Sequence, residues 1–291
     1  MGRGALRLGL AAGLTTVLLV VWALAIEPLR LVVVTYEVEV PGLRRPMRAL
    51  LVGDPQPSWP WWTRERMRET MLRGDALAPD IVFFLGDYAY EHKTMARLGL
   101  SWLTFLPPAD TVEAMALIRA PLGAWAVMGN HDYYWNGPEV VRLLDQSPIR
   151  LLRDASALVS DDDGPLLHIV GLEDVTTHTI DLKRAFSDVD DRAPSVVLSH
   201  SPEVLPRLPP RARTLFAAHT HGGQIALPGV GPIVLPIRDR ALARGRIVRE
   251  GRTVVVTSGL GLSILPLRFG VPPELAVVTL SPGPLPPRPT R

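Results

Sequence analysis

The chain has 291 residues, which is enough for one large domain or two smaller ones. Hydrophobic residues make up 47% and charged residues 21%, so the composition excludes both a disordered chain and one built mainly of membrane spans. There is no cysteine, which excludes disulfides, a thiol nucleophile, a zinc–thiolate site and an iron–sulfur cluster. The formal net charge of +2 is too small to indicate nucleic acid, and no nucleic-acid partner is expected.

The N-terminal segment is expected to be a membrane anchor. Residues 8–26 carry no charge, and a helix of this length spans about 28 Å, close to the thickness of the hydrocarbon core. Arg3 and Arg7 precede it, so this end is expected in the cytoplasm and the remaining chain on the extracytoplasmic side. A cleaved signal peptide is an alternative because residues 23–25 read Ala-Leu-Ala, and a buried core helix is a weaker one. Residues 1–30 are assigned to this segment.

The rest of the chain alternates between strand-like and helix-like segments. Residues 31–40 are rich in β-branched side chains and predict a strand. Short apolar runs follow at 49–52, 81–85, 125–128, 196–198 and 215–218, and each ends abruptly in polar residues. Residues 63–73 and 138–144 are helix-like. This order is typical of an α/β layered domain, in which ligands gather at the carboxyl ends of strands.

The polar residues at these strand ends are the candidate functional residues. They are Asp54, Gln56, Asp87, Asn130, His131, His200, His219 and His221. Carboxylate, amide and imidazole groups converging on one sheet edge suit a metal site for zinc, manganese or iron. His219 and His221 are two residues apart, so an extended backbone would point both rings to one face, where they could serve one ion or two neighbouring ions.

Five motifs occur in the order GDPQ, GD, GNHD, SH and HTHGGQ. Their order and spacing resemble the calcineurin-like metallophosphoesterase superfamily, whose usual pattern is D-x-H, G-D, G-N-H-[DE], a lone His and G-H-x-H. The segments HTHGGQ and TSGLGLSILPLRFGVPPELAVVTL, with the apolar N-terminus, are similar to its YkuE/YaeI-type membrane-associated branch. The resemblance covers about residues 31–280. It implies an α/β (α+β four-layer) fold, in which two mixed β-sheets pack as a sandwich flanked by helices.

The resemblance also implies two divalent metal ions, which would be manganese, zinc, iron or magnesium. Its ligand positions correspond to Asp54, Gln56 and His221 for the first ion, to Asn130, His200 and His219 for the second, and to Asp87 as a bridge between them. Two such cations about 3.5–4 Å apart can clamp a phosphate and lower the pKa of a bridging water, which yields hydroxide for in-line attack.

A separate catalytic role is implied for the residues that follow Asn130. His131 would not bind metal, but would act over the phosphate as a general acid or charge stabiliser. Asp132 is expected to fix the tautomer of His131 and to raise its pKa.

Two positions depart from the superfamily pattern. Gln56 replaces a histidine; its amide oxygen is also neutral but is a harder and weaker ligand for zinc, which favours manganese, magnesium or iron. Ala218 replaces the glycine of G-H-x-H, and should matter little unless that position needs a positive φ.

Aromatic residues lie beside the metal motifs and are candidates for contacting substrate. They are Trp59, Trp62, Tyr133 and Tyr134, with Trp102 and Phe105 further along the chain. They would form an apolar lip that touches the bilayer or grips an acyl chain, or they would simply pack against the core.

Three further features have simpler interpretations. Arg44, Arg45 and Arg48 follow the first strand, and would either contact anionic headgroups or form a solvated face. Residues 161–164 read Asp-Asp-Asp-Gly and predict a turn in preference to a calcium site. Residues 281–291 are rich in proline and predict a disordered tail, which leaves residues 31–280 for the catalytic domain.

These observations predict a membrane-anchored, metal-dependent phosphoesterase that cleaves a phosphodiester or pyrophosphate. The expected substrate is phosphorylated. A lipid-linked or cell-envelope molecule is preferred over another small molecule. A phospholigand-binding scaffold without turnover is one alternative, and a nuclease of the same fold is another.

Overall fold

The computed structural model describes residues 3–57, 60–90, 106–263 and 265–285. Helix α1 (Arg3–Val21) continues through a π-helical turn (Trp22–Ile26) and a 3-10 turn (Glu27–Leu29). The segment Gly4–Leu29 is long and apolar enough to cross a membrane, and almost all of it is exposed. This exposure argues against a buried core helix, because a core helix would pack against the domain.

Four further helices are described: α2 (Arg64–Asp75), α3 (Pro108–Met115), α4 (Asn130–Asp145) and α5 (Leu182–Ala185). The helix predicted at 63–73 is confirmed as α2, which begins where the Thr63 hydroxyl accepts the Arg66 N–H. Helix α4 begins eight residues earlier than predicted and is kinked at Asn136, just before Pro138.

The first sheet has six strands. They are β1 (Val32–Pro41), β2 (Met47–Val52), β3 (Ile81–Phe84), β4 (Ala124–Ala126), β5 (Ile149–Leu151) and, from the end of the chain, β14 (Glu274–Gly283). Their spatial order is β1-β14-β2-β3-β4-β5, and every neighbouring pair is parallel except the antiparallel pair of β14 and β2.

The second sheet also has six strands. They are β6 (Ala155–Asp161), β7 (Gly164–Gly171), β8 (Ser195–Leu198), β9 (Thr214–Ala217), β12 (Gly245–Arg249) and β13 (Arg252–Val256), in the order β12-β13-β9-β8-β7-β6. The two outer pairs are antiparallel and the inner pairs parallel. Between β9 and β12 the chain forms a small hairpin of β10 (Ala226–Leu227) and β11 (Gly231–Pro232).

The hydrophobic residues divide the domain into four layers. Side chains of both sheets, such as Leu51, Phe83 and Phe216, pack together in a central core. The outer face of the first sheet packs against α2, α3 and α4, and the outer face of the second packs against α5 and the 3-10 segment Pro202–Arg207. The predicted sandwich of two mixed sheets flanked by helices is therefore confirmed.

The sheet pairing fixes which end of the domain lies near the apolar N-terminal helix. Strand β1 starts two residues after Arg30 and runs away from that helix, so the turn after β1 lies at the far end. Arg44 and Arg45 lie in this turn, and both bond to Asp161. The idea that these arginines contact headgroups near the membrane exit is therefore wrong, and residues 161–164 form a turn held by arginines.

The proposed tail begins later than the composition indicates. Strand β14 extends to Gly283, and residues 281–283 pair with 39–41 of β1. The boundary expected at residue 280 thus falls inside a paired strand. Beyond Leu280, β14 pairs with β1 but no longer with β2, and proline is tolerated where one side of a strand is unpaired. Residues 286–291 lie outside the described part of the chain.

Candidate metal centre

The candidate ligands follow the carboxyl ends of five strands, as the sequence predicts. Asp54 and Gln56 follow β2, Asp87 follows β3, and Asn130 begins α4 after β4. In the second sheet His200 follows β8, while His219 and His221 follow β9. All seven side chains are buried or largely buried, and the contacts below show that they meet in one place.

The side chains form two groups that adjoin each other, since His200 Nδ1 of the second lies 3.8 Å from Asp54 Oδ1 of the first. In one group His221 Nε2 lies 4.0 Å from Asp54 Oδ2. In the other, His200 Nε2 lies 3.1 Å from both Asn130 Oδ1 and His219 Nδ1. The Nδ1 atom of His200 donates to the Leu85 carbonyl at 2.8 Å, which turns Nε2 toward the cluster.

Asp87 lies between the two groups. Its Oδ2 atom accepts a hydrogen bond from Gln56 Nε2 at 2.7 Å and lies 3.3 Å from His200 Nε2. Its Oδ1 atom accepts the backbone N–H of His131 at 2.8 Å. One ligand atom from each of Asp54, Asp87 and His200 lies within 4.8 Å of the others, which is close enough to hold a cation.

The backbone at these ligands is strained. In the described part of the chain nine non-glycine residues have positive φ, and five of them are candidate ligands: Asp54, Gln56, Asp87, His219 and His221. Such conformations cost free energy and persist where the surrounding fold imposes them for function. The extended geometry expected for His219 and His221 is therefore wrong, since φ is 70° at the first and 48° at the second.

Two glycines allow the backbone to approach the carboxylates closely. A Cβ atom at Gly129 would lie 2.2 Å from Asp87 Oδ1, and one at Gly259 would lie 2.6 Å from Asp54 Oδ2. Both motifs, GNHD and TSGLG, therefore need glycine at these positions. Ala218 is tolerated because its φ is not positive and because Gly53 leaves space for its methyl group.

The carboxylates respond differently to burial. Burial and the neighbouring charge of Asp87 raise the pKa of Asp54 to about 7, although His200 opposes the rise. Burial also opposes ionisation of Asp87, but the surrounding histidines outweigh it and hold its pKa below the ordinary range. Asp87 is thus the permanent negative charge at the centre of the cluster.

The three candidate histidine ligands differ in the direction in which their pKa values are shifted. Burial and the nearby His200 lower the pKa of His219 to about 4, and burial with the charge of Arg268 lowers that of His221 further below its ordinary value. Both rings are therefore neutral at pH 7, which metal binding requires. Burial alone would lower the pKa of His200, but Asp87 and Asp54 raise it, so this ring must lose a proton before it can bind a metal.

The side-chain oxygen of Gln56 is available to bind a cation. Its Oε1 is buried and has no hydrogen-bond partner among the described residues. A buried oxygen without a donor is costly unless a cation or water satisfies it. Together with two carboxylates, an asparagine oxygen and three imidazoles, it makes a donor set that fits divalent zinc, manganese or iron.

The His131 ring packs against aromatic residues, and its backbone N–H bonds to Asp87 of the cluster. Its ring stacks on Tyr90 at 5.8 Å and meets the edge of Tyr134 at 5.7 Å, while Nδ1 is buried with no hydrogen-bond partner among the described residues. An imidazole placed in this way can exchange a proton with a molecule above the cluster.

Asp132 does not fix the tautomer of His131, so this expectation is wrong. Its Oδ2 atom accepts the backbone N–H groups of Asp87 and Gly129, and Oδ1 accepts that of Ala89. The side chain is fully buried and joins the loops after β3 and β4. Asp132 therefore supports the backbone of the site, because both oxygens are already used by N–H donors.

The aromatic residues have different surroundings. Trp62 is only 1% exposed and packs with Met67 and Met71 in the core of the first sheet, so it cannot form an exposed lip. Tyr134 is exposed beside His131, whereas the Tyr133 hydroxyl donates to Glu173. Trp59, Trp102 and Phe105 lie outside the described residues.

Asp174 lies at another strand end but is not among the candidate residues that the sequence patterns indicate. Asp174 is fully buried after β7, and its Oδ2 accepts the Thr176 and Thr177 hydroxyls. Its charge raises the pKa of His200. Because β7 neighbours β8, the same strand-end reasoning that located His200 could have located Asp174.

Arg268 is a second residue that sequence reasoning missed. It is fully buried, and its guanidinium donates to the carbonyls of Gly261, Ser258 and Val271. Its Nη2 atom lies 3.5 Å from His221 Nδ1. Arg268 thus ties the loop after β13 to a candidate ligand; an arginine in a loop is usually exposed, and no pattern marks it as buried.

Comparison with known proteins gives a family for this arrangement. Residues 47–223 match the family model described as calcineurin-like phosphoesterase, and this range contains every candidate ligand. The chain is 28% identical over 227 residues to the metallophosphoesterase YkuE of Bacillus subtilis, which covers 76% of this chain and 74% of that protein.

Two other relatives differ in what their names state. The UDP-2,3-diacylglucosamine pyrophosphatase LpxG of Chlamydia trachomatis is 26% identical over 269 residues, covering 73% of this chain and 77% of LpxG. A transmembrane protein with metallophosphoesterase domain from Bos taurus is 27% identical over 300 residues, covering 96% of this chain and 64% of that protein. The chain therefore belongs to the calcineurin-like phosphoesterase family, as a metallophosphoesterase of the YkuE-type branch.

Proposed function

We propose that the protein hydrolyses phosphoester bonds with two divalent cations, one held by each group of ligands. The observation that carries this proposal is the position of Asp87, whose Oδ2 atom contacts both Gln56 and His200. Asp54, Gln56 and His221 would hold the first cation, and Asn130, His200 and His219 the second. Such cations supply charge that neutralises the phosphoryl oxygens and lowers the pKa of the attacking water.

The residues of the chain do the remaining work. Water oxygen attacks phosphorus, the bond from phosphorus to the leaving oxygen breaks, and the leaving oxygen must gain a proton. His131 would donate that proton, since its backbone N–H bonds to Asp87 and its buried Nδ1 has no hydrogen-bond partner among the described residues. Asp132 accepts the backbone N–H groups of Asp87 and Gly129, and so holds in position the loops that carry Asp87 and His131.

The sheet register supports a lipid-linked substrate. Leu51 of β2 pairs with Ala276 of β14, which pairs with Val34 of β1. Asp54 lies three residues beyond Leu51, so the site is level with Leu31, just after the end of the apolar segment Gly4–Leu29. The site would thus lie at the membrane end of the domain, where a phosphodiester or pyrophosphate attached to a lipid is within reach.

The relative named a UDP-2,3-diacylglucosamine pyrophosphatase is consistent with a pyrophosphate joined to a lipid. For this chain we propose only that class, in the cell envelope. Arg3 and Arg7 precede the anchor, so the catalytic domain is proposed to lie on the extracytoplasmic side.

The test is turnover by the full-length chain in detergent after its metals have been removed. Manganese, zinc, magnesium or iron is returned singly, and hydrolysis of bis-p-nitrophenyl phosphate and p-nitrophenyl phosphate is measured. We expect metal-dependent cleavage of the diester that is lost in Asn130→Ala and His131→Ala. A folded chain that shows no turnover with any of the ions contradicts the proposal.

A second candidate function is supported by Gln56. A weak ligand in place of histidine would suit a scaffold that binds phosphorylated molecules without turnover. In that case the wild-type chain is inactive, and Gln56→His gains activity. Equal or lower activity of Gln56→His relative to an active wild type excludes the scaffold.

A further inference from the structure

The N-terminal helix is joined to the catalytic domain by hydrogen bonds as well as by the chain itself. The Arg268 N–H donates to the Ala23 carbonyl at 3.0 Å, and the Gly270 N–H donates to Glu27 Oε2 at 2.9 Å. Arg66 donates to the Leu29 carbonyl at 2.8 Å. Because these contacts lie along residues 23–29, the helix leaves the domain in a fixed direction and not through a flexible linker.

The docked residues lie where the membrane should end. The uncharged stretch 8–26 is about as long as the hydrocarbon core is thick, so Ile26 and Glu27 fall at its boundary. Trp22 lies four residues earlier, about 6 Å of helix rise toward the bilayer. Tryptophan prefers this interfacial level.

The hairpin of β10 and β11 stands beside this level. Trp22 and Val230 line the same groove, which has a volume of about 760 Å³ and is also lined by Leu227, Arg30, Arg240 and Arg244. The hairpin and the residues after it expose apolar side chains, and Val230 and Val234 are 68% and 70% exposed. Exposed apolar side chains at the level of an interfacial tryptophan are expected to contact lipid and not water.

The charge of the groove indicates the kind of lipid. It contains three arginines and one carboxylate, Glu27, whose Oε2 already accepts the Trp22 indole N–H and the Gly270 N–H. Arg244 makes no hydrogen bond or ion pair within the part of the chain that the structure describes. Arginines beside an apolar insertion suit the phosphate of an anionic headgroup.

We propose that this groove binds the headgroup of an anionic phospholipid of the bilayer, while the hairpin 226–234 inserts into the interface beside the N-terminal helix. The site is separate from the metal cluster and goes beyond the proposed hydrolysis. It adjoins the cluster at Gly222, which follows His221 and lines the groove. The lipid would therefore hold the domain with its metal edge against the membrane.

The absence of cysteine allows a direct test of the insertion. Val230→Cys in the full-length chain is labelled with bimane and reconstituted into vesicles that contain lipids with a doxyl quencher near the headgroup. We expect quenching of this probe. A matched probe at Leu158→Cys should not be quenched, since Leu158 is exposed on β6, the opposite edge of the second sheet from β12. Equal quenching at both sites, or no quenching at Val230, overturns the insertion. The exposed apolar side chains of the hairpin would then be a contact surface for a protein partner.

The lipid class is tested with the same bimane probe in neutral detergent. Titrating short-chain phosphatidylglycerol should change its fluorescence, whereas phosphatidylcholine and inorganic phosphate should not. Each arginine contributes about a fivefold change in affinity, so Arg240→Gln with Arg244→Gln should weaken the response about 25-fold. Arg207→Gln, an exposed arginine outside the groove, should leave it unchanged.

Two outcomes would overturn the lipid assignment. If inorganic phosphate gives the same response as phosphatidylglycerol, the groove is a general anion site. If the double variant binds phosphatidylglycerol like the wild type, the arginines do not hold the headgroup. Turnover of bis-p-nitrophenyl phosphate by the double variant should stay unchanged, so a failure of this proposal is distinct from a failure of the hydrolase proposal.

Discussion

The Gln56 side-chain amide donates a 2.7 Å hydrogen bond to Asp87 Oδ2, which leaves its oxygen buried and free of any donor among the described residues. The nitrogen thus orients the most central carboxylate, and the oxygen is left for a cation. A neutral oxygen ligand favours manganese or magnesium over zinc relative to an imidazole. We therefore expect Gln56 to determine which metal the protein prefers.

Gln56→His should bind zinc more tightly than the wild type, because imidazole is the better zinc ligand. We expect at least a tenfold gain in zinc affinity, on the scale by which single ligand changes alter metal affinity, and a smaller gain for manganese. Metal content after dialysis and turnover in zinc and manganese series measure this. Gln146→His, at an exposed position outside the site, is the matched control. An unchanged ratio of zinc to manganese affinity would show that Gln56 is not a ligand.

His131→Ala should reduce turnover by about 10² to 10⁴, the usual contribution of a general acid or base. Metal content should stay at the wild-type level, since the ring contacts described for His131 are with Tyr90 and Tyr134. The measurement pairs kcat with the metal bound per chain. Loss of metal from this variant would mean that the imidazole is a ligand after all.

Asp132→Asn should lower stability more than it changes the pH profile. The amide nitrogen would face a buried N–H donor, so we expect a loss of about 3 kcal/mol in the free energy of unfolding. Thermal unfolding gives this loss, and the pH dependence of kcat/KM should keep its shape because Asp132 does not touch the His131 ring. A shifted pH profile with unchanged stability would restore the tautomer role.

Metal binding by the metal-stripped protein should strengthen as pH rises toward 7. The pKa of Asp54 is raised to about 7, so below that pH a cation must displace its proton. Each displaced proton makes affinity rise about tenfold per pH unit. The rise should become less steep but continue above pH 7, because His200, whose pKa is also raised, must lose its proton as well. Calorimetric titration with manganese from pH 5.5 to 8 measures this dependence. A constant affinity over this range contradicts the prediction.

Arg268→Lys should destabilise the protein although it keeps the charge. A lysine cannot make the forked set of bonds to the carbonyls of Gly261, Ser258 and Val271, which would stay buried and unpaired. We expect a loss of about 3 kcal/mol in the free energy of unfolding. Arg246→Lys on the exposed strand β12 should change it by less than about 0.5 kcal/mol. Similar values for both variants would show that the buried guanidinium is dispensable.

Much of the site was predictable because each ligand follows an apolar strand, and parallel strand ends meet at one edge. The alternation of strand-like and helix-like segments predicted the α/β layers, and the resemblance carried by the five motifs implied the sandwich of two mixed sheets. Local sequence patterns could not predict the contacts between residues that are distant in the sequence. Trp62 and Asp132 were assigned to the substrate and to His131 from their sequence neighbours, yet one packs in the core and the other binds backbone N–H groups.

The backbone conformation of the HTHGGQ motif was also not predictable from the side-chain alternation of extended strands. A two-residue spacing places side chains on one face only if φ is negative, and here His219 and His221 both have positive φ. The fold imposes that strain through Asp54, which accepts the His219 N–H on both carboxylate oxygens. Strain of this kind is a tertiary effect with no local signature.

The pairing of β1 with β14 also sets the order of assembly. Strand β1 is made directly after the membrane segment, but in the sheet its neighbour is β14, which is translated almost 250 residues later and also separates β1 from β2. Until β14 arrives, β1 has no hydrogen-bonded neighbour among the described strands of the first sheet. Contacts so distant in sequence form slowly. The first sheet is therefore completed only when β14 pairs with β1 on one side and with β2 on the other.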